Sequence, residues 1–235
     1  MRIVRATFLI VTVLLMTTVA AAQAGQTLTA TAASAPAEAL LKGSPAWDQV
    51  PAHKIGLNRT PPLYDTDEPA SLEIAAVDVR AARADGKLLV QMSWLDATQD
   101  SANLPEVPTT PPETRFHKVP TEASDRFFDA AAVMFPTKPG AAAPSLQMGD
   151  ADDPVHIYYW NAARGPMLMD AAGRGTTKRT GASFAVHGAY EKGRWTVVFE
   201  LPDLAAGTPL AFAIWNGSQK DRDGRKYFSV WQVLQ

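Results

Sequence analysis

Two side chains able to bind a transition metal through a neutral donor stand in unusual places along this chain. Met148 precedes Gly149 at the entry to an acidic turn, in Pro144-Ser-Leu-Gln-Met148-Gly149-Asp-Ala-Asp-Asp-Pro154-Val-His156-Ile-Tyr-Tyr-Trp160. Lys226 lies in the closing segment Asp223-Gly-Arg-Lys226-Tyr-Phe-Ser-Val-Trp231. A thioether is a soft ligand, and a lysine ligates as a free amine once burial has lowered its pKa. Each also has an ordinary reading. Methionine fills irregular gaps in cores, and lysine at a strand edge is commonly a solvated guard against edge pairing. The glycine after Met148 permits close approach of the backbone to something bulky. Lys220 is the competing lysine, in a turn dense with charge.

Other chemistry has little footing. His53, His117, His156 and His187 have no close spacing, and no HExxH pair occurs. Asp150, Asp152 and Asp153 lack the glycine and terminal glutamate of a calcium loop and read as a solvated acidic turn. There is no Gly-x-Ser-x-Gly and no glycine-rich loop between a strand and a helix. The absence of cysteine excludes disulfides, thiolate metal sites, iron–sulfur clusters in this chain and covalent haem attachment. A net charge of −2 with no basic stripe argues against nucleic-acid binding. No residue is assigned a catalytic role.

The elements that must position these residues are strands. Arg2 and Arg5, the apolar run from Ala6 to Met16 broken only by Thr7 and Thr12, and Ala22-Gln23-Ala24 read as a signal peptide over 1–24. The run is shorter than the roughly 20 apolar residues that cross a bilayer, so the expectation is export to the periplasm with no membrane span after cleavage. Residues 25–45 read as a loose, alanine-rich lead-in, and 46–235 as one domain, with Trp47 docking the chain onto its body. A polar, proline-containing stretch, Asn58 to Pro69, crosses the surface.

Ser71 to Asp96 forms a hairpin turned at Asp85-Gly86, with a phase slip near Ala76 that implies a bulge or a strand buried on both faces. A strand or buried apolar segment is expected from Arg126 to Phe135, closed by Pro136, and a further strand from Val155 to Trp160. A second hairpin joins Ala182–Ala189 to Trp195–Leu201, and a last pair joins Leu210–Trp215 to Lys226–Leu234. In that final strand Lys226, Phe228 and Val230 share one face, and Tyr227, Ser229, Trp231 and Val233 the other. The long stretches 97–124 and 164–181 read as loops and docking surfaces. The class is all-β: a single antiparallel β-sandwich with long loops and few short helices.

These pieces, in this order, resemble the haem b-binding gamma subunit of the ethylbenzene dehydrogenase, dimethylsulfide dehydrogenase, selenate reductase and chlorate reductase type. The matching residues are Val77-Asp-Val79-Arg80, Trp94-Leu-Asp96, Ala130 to Phe135-Pro136, Met148-Gly149 before Pro154-Val155, Gly193-Arg194-Trp195 with Val197-Val198-Phe199, Ala213-Ile-Trp215-Asn216-Gly217, and Gly224-Arg225-Lys226. The resemblance implies a sandwich enclosing one haem b, with Met148 and Lys226 as axial ligands meeting across its interior. Two protein ligands leave no open position on the iron, which implies electron relay rather than catalysis. It implies a molybdenum-cofactor catalytic subunit and an iron–sulfur subunit as partners in a heterotrimer, with a soluble periplasmic cytochrome as exchange partner.

His156 stands where asparagine is expected, and is a rival ligand, a hydrogen-bond donor to a haem propionate, or a plain strand histidine. Arg225 and Arg80 are candidate propionate partners. Tyr158, Trp160, Phe228 and Trp231 are candidate cavity walls, or core. The competing reading is a cofactor-free carbohydrate- or ligand-binding sandwich module.

Overall fold

The computed structural model describes residues 25–60, 72–101 and 127–235. The leader at 1–24, the proline-containing stretch beyond Thr60, His117, Arg126 and most of the stretch 97–124 lie outside the described residues.

In chain order the elements are β1 (Thr27–Leu28), β2 (Ala30–Ala32), the short helix α1 (Ala37–Leu41), a 3₁₀ turn at Pro45–Gln49, β3 (His53–Gly56), β4 (Asn58–Arg59), β5 (Ala76–Ala84) and β6 (Lys87–Leu95). The C-terminal half holds β7 (Ala130–Pro136), β8 (Val155–Asn161), β9 (Gly165–Ala171), β10 (Lys178–Arg179), β11 (Val186–Glu191) and β12 (Arg194–Pro202). It closes with β13 (Pro209–Trp215), a 3₁₀ turn at Gly217–Gln219, β14 (Tyr227–Phe228) and β15 (Gln232–Leu234). Among the described residues six strands form one sheet, β11-β12-β6-β5-β2 with β3 on β5. Nine form the other, β1-β15-β13-β7-β8-β9-β10 with β14 on β13 and β4 on β14.

The sandwich is all-β, as its alternating patterns require. Val77, Val79, Val90, Met92 and Phe199 from the first sheet face Ala131, Val133, Phe135, Phe212 and Ile214 from the second, in one continuous core. Both tight hairpins of the first sheet use two consecutive left-handed residues, Asp85-Gly86 and Lys192-Gly193, whose twist matches the flanking strands. Ala81 and Ala82 are both fully buried, one in the core and one under α1, so β5 is covered on both faces where the alternation had slipped. Gly188 on β11 makes room for a core ring: a Cβ there would lie 2.3 Å from the Trp160 indole.

Three expectations are corrected. Residues 25–45 are not loose. β1 pairs parallel with β15 and β2 parallel with β5, so the two N-terminal strands depart from an antiparallel scheme. Within the alanine-rich run, Ala37 and Leu40 bury against Trp47, Val50, Leu89 and Val198 on the outer face of the six-stranded sheet. Trp47 docks as expected, its indole N–H donating to the Leu40 carbonyl at 2.8 Å.

The stretch 164–181 is not wholly loop. Asn161 turns the chain by accepting from the amides of Ala163 and Arg164, and Gly165–Ala171 returns along β8 as a full antiparallel strand. Finally, the face alternation of the last strand breaks between Phe228 and Gln232. Ser229 exchanges two bonds with Phe212, giving its N–H to the carbonyl and accepting the amide on Oγ, both at 2.9 Å. Past this interruption the phase inverts, so Gln232 and Leu234 point inward while Trp231 packs outside.

Candidate functional site

The outward face of the nine-stranded sheet, not the space between the sheets, carries both Met148 and Lys226. Outward positions of β7 and β13 are small: in register, Phe228 lies beside Ala213, Ala213 beside Ala132, and Ala132 beside Tyr159. One step along, Trp215 lies beside Ala130. Ala130, Ala132, Val155, Ile157, Ala171 and Trp215 form a buried apolar cluster on this face, against which Met134, Met148, Tyr159, Met169 and Trp231 pack. The expected meeting of the two ligands across the sandwich interior is therefore corrected: that interior is filled by the core side chains of both sheets.

Met148 sits in a tight turn built for it. Met148 and Gly149 are both left-handed, at φ 69° and 70°, a conformation that costs a non-glycine residue about 1–2 kcal/mol. The turn is held by the Gly149 amide on the Ser145 carbonyl and the Gly173 amide on the Met148 carbonyl, each at 2.8 Å. Gly149 is required, because a Cβ would stand 2.5 Å from the Asp153 carbonyl oxygen. What the glycine approaches closely is thus the chain's own turn. Asp150 closes that turn by accepting from the amides of Asp152 and Asp153 at 3.0 Å. The Trp231 indole reaches back to the Pro144 carbonyl at 2.8 Å, tying the C-terminal segment to the loop that delivers Met148. The Thr177 hydroxyl lies 3.6 Å from the Met148 sulfur, which engages one of its two lone pairs.

Lys226 immediately precedes β14, on the same face as Phe228, and its Nζ is 5.3 Å from the centre of the Trp215 ring. Burial pushes its pKa below the ordinary lysine value, the positive charge of Arg174 lowers it further, and Asp223 opposes both. Arg174 follows Gly173, the residue bonded to Met148. One turn, 173–177, therefore touches Met148 through backbone and side chain and reaches Lys226 through charge. The site joins a polarisable sulfur and an amine with a reduced proton affinity beside a floor in which Ala130, Ala132 and Ala213 leave room for a flat apolar group.

The remaining expected residues scatter. His156 belongs to the opposite side of β8 from Val155 and Ile157: its ring packs edge-on against Phe135, and its Nδ1 lies 2.7 Å from Asp170 Oδ1. Tyr158 and Trp160 also turn inward, onto Phe135 and Phe184 and onto Trp195, while Phe228 and Trp231 stay with the outer face. Arg225 places Nε 3.4 Å from Asp221 in the turn before Lys226. Arg80 is on the other sheet, where it donates to the carbonyls of Trp47 and Val50, so its expected propionate role is withdrawn. Lys220 is exposed at a left-handed helix end, away from the cluster.

Sequence reading missed the residues that hold this site: Arg59 and Thr60 behind Lys226, Thr177 and Arg174 beside Met148, and Tyr159 and Trp215. The alanine floor had a visible signal in Ala130-Ala131-Ala132 and Ala211-Phe-Ala213.

A family model described as "Ethylbenzene dehydrogenase" matches residues 44–183, a span that contains Met148 and His156 and stops short of Arg225 and Lys226. A protein of Haloferax mediterranei with the provisional name respiratory nitrate reductase heme subunit is 33% identical over 200 residues, covering 80% of this chain and 65% of that one. The chain thus spans just under two thirds of that relative's length. Dimethylsulfide dehydrogenase subunit gamma of Rhodovulum sulfidophilum is 28% identical over 209 residues, covering 78% of this chain and 70% of the relative. Chlorate reductase subunit gamma of Ideonella dechloratans is 26% identical over 203 residues, covering 80% and 76%.

Proposed function

The chain belongs to the ethylbenzene dehydrogenase family, and on that footing we propose that it is a non-catalytic, electron-transferring subunit that holds one haem b on the outer face of its nine-stranded sheet. The relatives named as a heme subunit and as gamma subunits of two oxidoreductases support an accessory redox role. One observation within the chain supports the placement: the 173–177 turn bonds Met148 and sets the charge of Arg174 against Lys226, beside the same alanine floor.

In this reading Met148 and Lys226 are the two protein ligands. When bound, a haem so ligated supplies one-electron exchange with no open position for substrate. The chain's own residues prepare the rest. Lys226 must present a lone pair, and its burial beside Arg174 lowers the cost of losing the proton. Thr177 engages one sulfur lone pair of Met148 and leaves the other free. The Trp215 ring lies under Lys226 Nζ, and the apolar cluster keeps water from one side of the site. Arg225 is a propionate candidate; His156 has no part, since it faces the other side of β8.

The partners in this reading are a molybdenum-cofactor catalytic subunit and an iron–sulfur subunit, with electrons passed to or from a soluble periplasmic cytochrome. Residues 1–24 are the cleaved export signal and the remainder is one haem-binding unit. No helix among the described residues is long and apolar enough to cross a membrane.

The test is the absorption spectrum of chain purified with haem available. A reduced, six-coordinate b-type spectrum at one haem per chain is expected. A colourless protein that binds oligosaccharides would return the site to the ligand-binding class of sandwich modules.

A further inference from the structure

One end of the sandwich carries a second site. The end of β6, the β11–β12 turn and the start of the 216–225 turn border an open cleft of about 430 Å³ lined by Glu73, Ile74, Leu95, Asp96, Ala97, Gly193 and Asn216. Asp96 is 5% exposed. Its Oδ1 accepts from the Thr98 amide at 3.1 Å and the Thr98 hydroxyl at 3.3 Å, whereas its Oδ2 is buried without a well-formed hydrogen bond among the described residues. The Trp94 indole N–H, also buried, is the nearest donor to this carboxylate but makes no well-formed hydrogen bond among the described residues. Burial pushes the Asp96 carboxyl up from its usual value, while Thr98 and Trp94 pull it back. An unpaired buried carboxylate oxygen is costly, and native structures seldom retain one without a ligand to meet it.

The lining states what that ligand is. Glu73 adds a second carboxylate, which among the described residues accepts a long 3.5 Å bond from the Asn216 side-chain amide. Among the described residues no lysine or arginine lines the cleft. Ile74, Leu95 and Ala97 supply apolar wall between the two acids and the mouth, which suits a cation on an aliphatic stem. Leu95 is 65% exposed on this rim, and Leu72, 50% exposed, immediately precedes Glu73. Two of the three exposed large apolar side chains among the described residues thus lie at this end. A free amine would leave them in water, and a protein surface would cover them.

We propose that this cleft receives an arginine or lysine side chain of a partner subunit, its cationic head on Asp96 Oδ2 and Glu73 and its stem along Ile74 and Leu95. The inference rests on the reading of the chain as one subunit of a redox complex and adds where that complex is joined.

Carboxylate labelling with carbodiimide and glycine ethyl ester tests it, on the isolated chain and on the purified haem-containing complex, with exposed Glu38 as the internal reference. Glu73 is expected to lose at least tenfold in labelling on assembly while Glu38 is unchanged. Asp96→Asn and the surface change Glu73→Gln are each expected to weaken assembly about tenfold or more, with the haem spectrum of the isolated chain retained. A haem-containing complex in which Glu73 labels as in the free chain overturns the proposal and leaves the functional reading standing. So does protection of Glu73 with both variants assembling as tightly as the wild type. Butylguanidinium binding that persists unchanged in the assembled complex also overturns it, by identifying a site for free cations. A chain that carries no haem and finds no partner fails the functional reading itself, and the proposal with it.

Discussion

Lys226 is fastened to Thr60 on both sides of its own backbone: its N–H donates to the Thr60 hydroxyl at 2.9 Å, and its carbonyl accepts from the Thr60 amide and hydroxyl at 3.0 Å. Next to it Arg59 grips the buried Asp221 with two bonds, 2.6 and 2.7 Å, and Asp221 also accepts from the Asn216 amide at 3.1 Å. The turn that carries the amine is therefore fixed by two consecutive residues at the end of a strand distant in sequence, Arg59 of β4 and Thr60 after it. Only the Lys226 side chain is left to choose its partner.

Breaking that grip on one side should unfold more than a surface ion pair would. The Asp221 side chain is fully buried and that of Arg59 is 13% exposed, so Asp221→Ala strands a guanidinium and is expected to cost about 3–5 kcal/mol in urea unfolding. Arg59→Met combined with Asp221→Leu should cost markedly less, since the buried guanidinium and the buried carboxylate are removed together, and Arg225, which also reaches Asp221, is 41% exposed.

Asp129 gives a pH signature. It is fully buried, accepts from the Trp195 indole at 2.9 Å and from the amides of Asp100 and Gly217 at 2.7 and 3.0 Å, and is nevertheless pushed up to about 6, desolvation outweighing these donors. A carboxyl whose folded pKa exceeds its unfolded value binds more protons when folded, so its contribution to stability falls as pH rises from about 4 to about 6 and is flat above. The stability difference between wild type and Asp129→Asn, followed by urea unfolding across that window, should shift by about 1–3 kcal/mol in that direction.

Gly149→Ala should displace Met148. The added Cβ meets the backbone of Asp153 at 2.5 Å in a left-handed residue, so the turn must move as a whole. A loss of at least about 1–2 kcal/mol is expected by thermal unfolding, with a change in the spectrum of any group Met148 binds. Gly175→Ala, which has open space but the same sign of φ, controls for strain alone.

Lys226 should make the haem-free chain more stable in alkali. Its pKa is lowered by burial and by Arg174, so the unfolded chain binds the extra proton between the folded value and the usual 10.5, and stability rises with pH through that interval. Lys226→Met should flatten this rise in melting temperature without lowering stability near neutral pH.

How much of this was legible follows from which signals are local. Asp85-Gly86 and the alternations of β6 and β12 declared the first sheet, because turn chemistry and period-two burial are written in adjacent residues. The face of the site was not legible. Met148 and Lys226 were found as residue types, but inward or outward depends on register, and Ser229 inverts the phase between Lys226 and Trp231 by bonding Phe212 twice. β9 was hidden by Gly165-Pro166 and the polar residues around it. Thr60 and Arg59 act at a separation of more than 160 residues from Lys226 and Asp221, a relation that propensity and spacing cannot express.

The decisive measurement is the reduced and oxidised absorption spectrum, at one haem per chain, of wild type, Met148→Ala, Lys226→Ala and Lys220→Ala. The wild type and Lys220→Ala should give the same six-coordinate b-type spectrum. Met148→Ala and Lys226→Ala should each lose or shift it, and in the wild type acid should release the amine as protons compete with the metal for Lys226. Unchanged spectra in both ligand variants would contradict the placement of a haem between these two side chains.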